Sequence, residues 1–167
     1  MYETLLHEAE QEQVEVVYRP LRGRLKGLYY EKSICLNSNI CTTAERSCIL
    51  AEELGHHYTA AGNILDQKKT RNRKLERRAR AWAYKKLVPL DKLIQAFIEG
   101  ARTRYEMAEY LGITECFLNE AINYYKEKYG NKCRVGNHWI CFEPLSITSG
   151  FKGKFNRPEV KLYRRDN

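Results

Sequence analysis

The sequence predicts an α+β fold in which a small N-terminal antiparallel sheet is followed by packed helices. Two patterns indicate this order. Up to residue 37, short runs of β-branched and aromatic residues are separated by glycines and a proline, which is typical of short strands. From residue 43 to residue 129, apolar residues recur at helical spacing instead. The 167 residues, of which 43% are hydrophobic, suffice for one ordinary core.

The N-terminal elements follow from local patterns. Leu5, Leu6 and Ala9 recur at helical spacing among acidic residues and predict a helix over 2–13. Extended runs follow, the first of which stops near Pro20, and they are predicted to form the sheet. These strands are predicted at 14–18, 25–30 and 33–37.

Capping signals define the helices that come next. Thr42 with Glu45, and Thr103 with Glu106, form Ser/Thr-x-x-Glu capping boxes, which satisfy the first free amides of a helix. The helix that begins at the first box is expected to end at Gly62, since glycine tolerates the left-handed conformation of a helix stop. The predicted helices span 42–60, 72–87, 91–99, 103–111 and 114–129, and a strand is predicted at 138–142.

Composition excludes several classes of protein. No apolar run approaches the roughly 18 residues that a membrane span needs, so no membrane partner is predicted. The segment 1–8 is acidic where a secretory signal would be basic, so a cytoplasmic location and unpaired cysteines are expected. No Cys-x-x-Cys spacing occurs, so a thiolate zinc site is not indicated.

One helical segment carries a candidate catalytic motif. The segment 52–56 reads Glu-Glu-Leu-Gly-His. It is similar to the His-Glu-x-x-His motif, in which two ligands one turn apart share a helix face and the intervening Glu activates a metal-bound water. In this frame Glu52 and His56 are the candidate metal ligands and Glu53 is the candidate general base. A frame shifted by one residue puts a leucine at the position of the base, so the first frame is preferred.

Glu76 is the candidate third ligand, because a catalytic zinc site needs three protein ligands and an open position. The formal net charge is +8, and ten basic residues surround this single acid between residues 68 and 86. An ion pair with Arg80, one turn later on the same helix, is the alternative role for Glu76. The basic run itself is typical of a solvated helix face, although it could also attract phosphates or an acidic protein surface.

These motifs together resemble the ImmA/IrrE family of metallo-endopeptidases. The resemblance extends over roughly residues 2–130. The residues that carry it are Leu50–His57, Gly62–Asp66, and Glu76, Ala79, Ala81, Trp82, Ala83, Leu87, Val88 and Pro89.

The resemblance implies a zincin-like motif helix in which His56 and Glu76 bind zinc, Glu53 is the catalytic base and Glu52 replaces a ligand histidine. It also implies an enzyme typical of phages and mobile elements that cleaves a companion repressor. The expected parts of the chain are a metallopeptidase-like core over 1–90, a packed helical part over 91–130, and a strand-like segment with a basic tail over 131–167.

A glutamate at position 52 changes the expected metal chemistry. Two carboxylates and one imidazole cancel the charge of a divalent cation, so a bound water is acidified less than usual and weaker activity is expected. The added oxygen ligand also makes Mn²⁺ an alternative to Zn²⁺. His57 or Asp66 remains an alternative to Glu52 in the ligand set, although His57 lies about 100° around the helix from His56.

The segment 105–118 resembles a helix-turn-helix, with Gly112 at the turn. Its second helix carries Glu115 and Glu120 and no cation before Lys126, which would repel DNA phosphates. We therefore interpret this unit as a packing element, and nucleic-acid binding through the basic run is the less favoured alternative.

The leading hypothesis from the sequence is a zinc-type endopeptidase that cleaves a repressor-type protein by metal-activated water, with Glu53 as general base. Two other classes are kept as alternatives. One is a non-catalytic protein-binding module with the same fold, and the other is a DNA-binding regulator. The sequence does not indicate an oligomeric state.

Overall fold

A computed structural model describes residues 1–59 and 69–150, and these two ranges contain six helices and six strands. The predicted α+β class is confirmed. In chain order the elements are α1 (Tyr2–Gln11), β1 (Glu15–Arg19), β2 (Gly27–Tyr30), β3 (Ser33–Asn37), α2 (Thr43–Thr59), α3 (Lys69–Leu87), α4 (Leu90–Ile98), α5 (Arg104–Leu111), α6 (Glu115–Tyr129), β4 (Lys132–Val135), β5 (His138–Phe142) and β6 (Leu145–Ser149).

The N-terminal sheet has the strand order β1-β3-β2 and is mixed, whereas the sequence predicted an antiparallel sheet. β2 and β3 pair antiparallel, and Glu31 and Lys32 between them adopt positive φ angles of 43° and 62°. β1 pairs parallel with β3. Because Ile34 and Leu36 of β3 are fully buried, β3 takes the centre of the sheet, and β1 lies at its other edge rather than beside β2.

The C-terminal sheet is an antiparallel meander of β4, β5 and β6. The sequence predicted β5 with the correct bounds, but it missed β4 and β6, which are short and rich in polar residues. This sheet packs against α6, and the rings of Phe142 and Tyr125 stack at a centroid distance of 6.1 Å. Residues 151–167, which carry most of the predicted basic tail, lie outside the described residues.

The two predicted capping boxes differ in the structure. At α5, the Thr103 side chain and the Glu106 carboxylate form the complete reciprocal box. At α2, Thr42 Oγ1 accepts from the Glu45 amide at 3.2 Å, but the Glu45 carboxylate accepts from Lys26 Nζ at 2.7 Å. The Glu45 carboxylate, which would accept from the backbone of Thr42 in a complete box, is therefore paired with Lys26, the residue before β2. The predicted helix end at Gly62 lies outside the described residues.

The helices α5 and α6 form the predicted helix-turn-helix-like unit. Gly112 ends α5 in the left-handed conformation, with φ 66° and ψ 38°, and Thr114 caps α6 by accepting from the Phe117 amide at 3.2 Å. Arg104 Nη1 donates to Asn119 Oδ1 at 2.6 Å and ties the two helices together. Asn119, a polar side chain in the first half of α6, is therefore engaged in a contact within the unit.

The helices α2 and α3 make the most extensive helix–helix contact among the described elements. A Cβ atom built on Gly55 of α2 would lie 2.4 Å from the carbonyl oxygen of Ala79 on α3. Two backbones can approach this closely because glycine has no side chain at the crossing. Within the described ranges, no helix combines the length and the apolarity that crossing a bilayer requires.

Candidate metal centre

Helix α2 presents the predicted motif beside the core rather than inside it. Leu50, Ala51 and Leu54 are fully buried, and their burial fixes the rotation of the helix about its axis. Glu52 and Glu53 are consequently only partly exposed, at the edge of the region where α2 meets α3 and β2.

Glu53 is held in a confined space against strand β2. A Cβ atom at Gly27 would lie 2.6 Å from Glu53 Oε1 and 2.6 Å from a methyl carbon of Ile49, so glycine at position 27 leaves the room that the carboxyl occupies. Burial raises the pKa of Glu53 to about 7, and the charges of Glu52 and Glu76 add to this shift. A carboxyl with a pKa in this range is well matched to proton transfer near neutral pH.

His56 and Glu76 meet across the contact between α2 and α3. His56 Nε2 lies 3.4 Å from Glu76 Oε1, and the two side chains are 24% and 53% exposed. The close crossing at Gly55 and Ala79 brings the two helices near enough for this contact. Two of the predicted ligands are thus adjacent and reachable from solvent.

Glu52 lies one turn before His56 on α2. Burial raises its pKa, the charges of Glu120 and Glu76 raise it further, and the charge of Arg80 acts in the opposite direction. The carboxyl is therefore in the electrostatic field of both α3 and α6.

The side chain of His57 contacts β2 and the end of α1, whereas that of His56 contacts α3. His57 Nδ1 lies 3.0 Å from the Tyr29 hydroxyl, and its Nε2 lies 3.8 Å from a carboxylate oxygen of Glu12. These contacts join α2 to β2 and to the C-terminal end of α1. They favour His56 over His57 as the metal-binding histidine, while Asp66, the other alternative, lies outside the described residues.

The chemistry and spacing of these side chains fit a divalent cation in part. In a tetrahedral zinc site with bonds of about 2.0–2.1 Å, two donor atoms stand about 3.4 Å apart, which matches the distance between His56 Nε2 and Glu76 Oε1. In residues 1–59 and 69–150, no three His, Cys, Asp or Glu side chains converge into one cluster. The structure therefore brings two predicted ligands together and leaves Glu52 outside that pair.

Sequence reasoning missed the residues that shape the space around the site. Gly27 and Gly55 allow close approach to Glu53 and to α3, and the Tyr29 hydroxyl contacts His57. A glycine inside a helical pattern indicates close packing, so Gly55 did carry a usable signal. The contact of Tyr29 depends on tertiary structure, and no local pattern indicates it.

A fold with a motif helix packed on a small sheet, and with a histidine and carboxylates at the contact of that helix with the next, is typical of a metallopeptidase-like protein. A family model described as the IrrE N-terminal-like domain, a peptidase family, matches residues 9–123. The chain belongs to this family, which confirms the resemblance found in the sequence. A search among curated proteins finds no match.

Proposed function

We propose that this chain is a metal-dependent endopeptidase that cleaves a repressor-type regulatory protein in the cytoplasm. The observation that carries the proposal is the contact of His56 with Glu76 at 3.4 Å beside the half-buried carboxyl of Glu53. The family match supports peptidase activity of a metal-dependent kind. Zinc is the proposed ion and manganese the alternative, because the ligand set includes two carboxylates.

His56, Glu76 and Glu52 would hold the ion, and Glu53 would act on the water. A divalent cation, once bound, supplies Lewis acidity that lowers the pKa of a water molecule. In that chemistry Glu53 would be the group that accepts a proton from the attacking water and returns it to the leaving amine. Gly27 leaves the space that the Glu53 carboxyl occupies.

Metal analysis of the purified full chain tests the ligand set. Wild-type protein loaded with zinc is compared with Glu76→Ala and Glu52→Ala, and with Glu109→Ala, an exposed acid of α5, as the matched control. We expect near-stoichiometric metal in the wild type and in the control, and a loss in both ligand variants. Retention of metal by Glu52→Ala alone would remove Glu52 from the ligand set and leave His56 with Glu76.

The other proposed class is a non-catalytic module that binds its partner without cleaving it. The absence of a three-ligand cluster among the described residues is the observation in its favour. Wild-type protein that takes up neither zinc nor manganese would support this class over the peptidase.

A further inference from the structure

The N-terminal sheet has an outer face that points away from the helices. Successive side chains of a strand alternate between its two faces, and the buried Ile34 and Leu36 of β3 belong to the helical core. Val16 and Tyr29, which pair with Ile34 in the register, pack against the same core. The side chains between them therefore form the outer face, and these are Glu15, Val17, Arg19, Leu28, Tyr30, Ser33, Cys35 and Asn37.

The centre of this outer face is apolar. Val17 of β1 and Leu28 of β2 flank Cys35 in one row across the three strands. Leu28 is 49% exposed, and Tyr30, two residues later on the same face, is 64% exposed. Val17 and Cys35 are partly exposed. A contiguous apolar surface of this kind indicates a contact with another molecule.

One end of the outer face is acidic. Glu15 begins β1 there and is exposed. Glu31 follows β2 at the same end, and its hydrogen bond with the Tyr30 hydroxyl raises the pKa of that hydroxyl. The Glu31 carboxylate therefore lies beside the apolar row. Lys32 is an exposed cation in the same turn, so two acids stand against one base at this end.

The other end of the outer face is basic. Arg19 ends β1 there. The loop between β1 and β2 lies at the same end, since Asn37 Nδ2 donates to the carbonyl oxygen of Leu25 at 2.9 Å. This loop carries Arg22 and Arg24, which are exposed, as is Arg19. Three guanidinium groups are therefore concentrated at this end.

A second copy of the chain fits this distribution of charge. When a face packs on its own copy about a two-fold axis, the same patch contacts itself from both sides. An axis along the row of Val17, Cys35 and Leu28 sets the strands of the two copies antiparallel. The acidic end of each copy then faces the basic end of the other. An axis along the strands would instead bring ends of like charge together.

We propose that the outer face of the N-terminal sheet is the contact surface of a weak two-fold homodimer. The row of Val17, Cys35 and Leu28 lies on the axis, and Glu15 of each copy faces Arg19 of the other. Strands about 4.8 Å apart and residues about 3.3 Å apart give this face an extent on the order of 200 Å². A standard interface buries about 800 Å² per partner, so the dimer is expected to be reversible and to form at high concentration.

The dimer leaves the candidate metal centre open. Gly27 and Tyr29 point to the inner face of the sheet, where they meet Glu53 and His57 of α2. The contact surface lies on the opposite face. Dimerisation is therefore independent of metal binding, and the two are measured separately.

Sedimentation velocity of the reduced full chain over a wide concentration series tests the proposal. We expect a dimer that increases with concentration. Leu28→Lys sets two ammonium groups against each other across the axis and should weaken the dimer about tenfold or more. Ile98→Lys is the matched control, because Ile98 is a 57% exposed apolar residue at the end of α4. Circular dichroism of each variant reports whether the fold is retained.

A charge exchange on β1 tests the orientation with changes at exposed positions only. Glu15→Arg and Arg19→Glu should each weaken the dimer, since each sets like charges opposite one another. An equal mixture of the two single variants should form a dimer again, because the changed faces are complementary to each other. If ends of like charge met, Glu15→Arg would strengthen the dimer instead.

Crosslinking tests the position of the axis. In protein that carries Cys41→Ser, Cys116→Ser and Cys141→Ser, Cys35 is the remaining cysteine that is not buried. A short bismaleimide should link two copies of this protein through Cys35. The further change Cys35→Ser should abolish the link.

Three results would overturn the proposal. Wild-type protein that stays monomeric at every concentration would leave the face to a protein of different sequence. Equal effects of Leu28→Lys and Ile98→Lys would place the contact elsewhere on the molecule. A mixture of Glu15→Arg with Arg19→Glu that stays monomeric would exclude the antiparallel arrangement.

Discussion

The ionisable side chains on two sides of helix α2 lie in opposite electrostatic situations. On one side, Glu52 and Glu53 lie half-buried close to the carboxylate of Glu76 on α3, and burial raises the pKa of both. On the other side, His57 and Tyr58 contact groups of complementary chemistry on β2 and α1. The first side concentrates like charge, and the second side is matched.

The matched side has the features of a structural contact. Glu8 Oε2 lies 2.7 Å from Lys86 Nζ, and the Tyr58 hydroxyl donates to Glu8 Oε1 at 3.4 Å. The ring of Tyr58 also stacks on Trp82 at a centroid distance of 4.8 Å. These contacts join α1, α2 and α3, so they stabilise the frame on which the unmatched side is held.

The largest effect is expected from Glu53→Gln on the unmatched side. Removal of the proposed base should lower peptide hydrolysis by about 10²–10⁴-fold while metal content stays unchanged. The same change removes a half-buried carboxyl whose pKa burial raises to about 7, so the metal-free protein should become more stable at neutral pH, on the order of 1 kcal/mol.

A quenched fluorescent peptide library measures the hydrolysis, and thermal unfolding of the metal-free protein measures the stability. Full hydrolysis by the Glu53→Gln protein would contradict the assignment of Glu53 as the base.

A change at the crossing of α2 and α3 should affect both sides at once. In Gly55→Ala, the new methyl group would lie 2.4 Å from the Ala79 carbonyl oxygen, so the helices must separate. We expect a loss of about 1–3 kcal/mol in the free energy of unfolding, and lower zinc affinity because Glu76 moves with α3. Chemical denaturation and zinc titration measure the two effects. An unchanged midpoint together with unchanged affinity would contradict this account of the crossing.

Removal of a charge on the matched side should affect stability alone. Lys86→Met leaves Glu8 Oε2 without its cation, and we expect a loss of about 1 kcal/mol, since both side chains keep some contact with solvent. Lys85→Met is the control, because Lys85 is the exposed neighbour and forms no salt bridge with a described residue. Denaturation curves that coincide for the two variants would show that the contact with Glu8 contributes nothing.

The smallest effect separates the two adjacent histidines. His57→Gln removes the contact with the Tyr29 hydroxyl, so we expect a loss of about 0.5–1 kcal/mol in stability and retention of zinc. His56→Gln should lose zinc, because it removes one donor of the pair with Glu76. Metal analysis of both variants checks the assignment, and a loss of zinc in His57→Gln alone would reverse it.

The sequence predicted elements whose signals are local. The complete capping box at Thr103 and the turn at Gly112 follow from side chains within a few residues of each other, and the structure contains both. The parallel pairing of β1 with β3 depends on which strand occupies the centre of the sheet, and no local pattern encodes that. The prediction of an antiparallel sheet was therefore wrong in one of its two pairings.

The candidate site shows the same division between local and tertiary information. Motif spacing indicated His56, and Glu76 was indicated as the single acid of the basic run. The structure brings these two side chains to 3.4 Å from each other. His57 contacts Tyr29 and Glu12 because β2 and α1 pack beside α2. Arg80 lines a cleft between α3 and α6 because those two helices pack against each other. Neither contact is encoded by a local pattern. The metal-binding roles of Glu52, His56 and Glu76 and the role of Glu53 as base stay predictions.

The contact between the backbones at Gly55 and Ala79 also bears on how such a protein can diversify. Because backbone atoms set the spacing of the two helices there, the separation of the His56 and Glu76 donors does not depend on the long side chains of α3. Exposed side chains of that helix can therefore change in evolution while the spacing of His56 and Glu76 is kept.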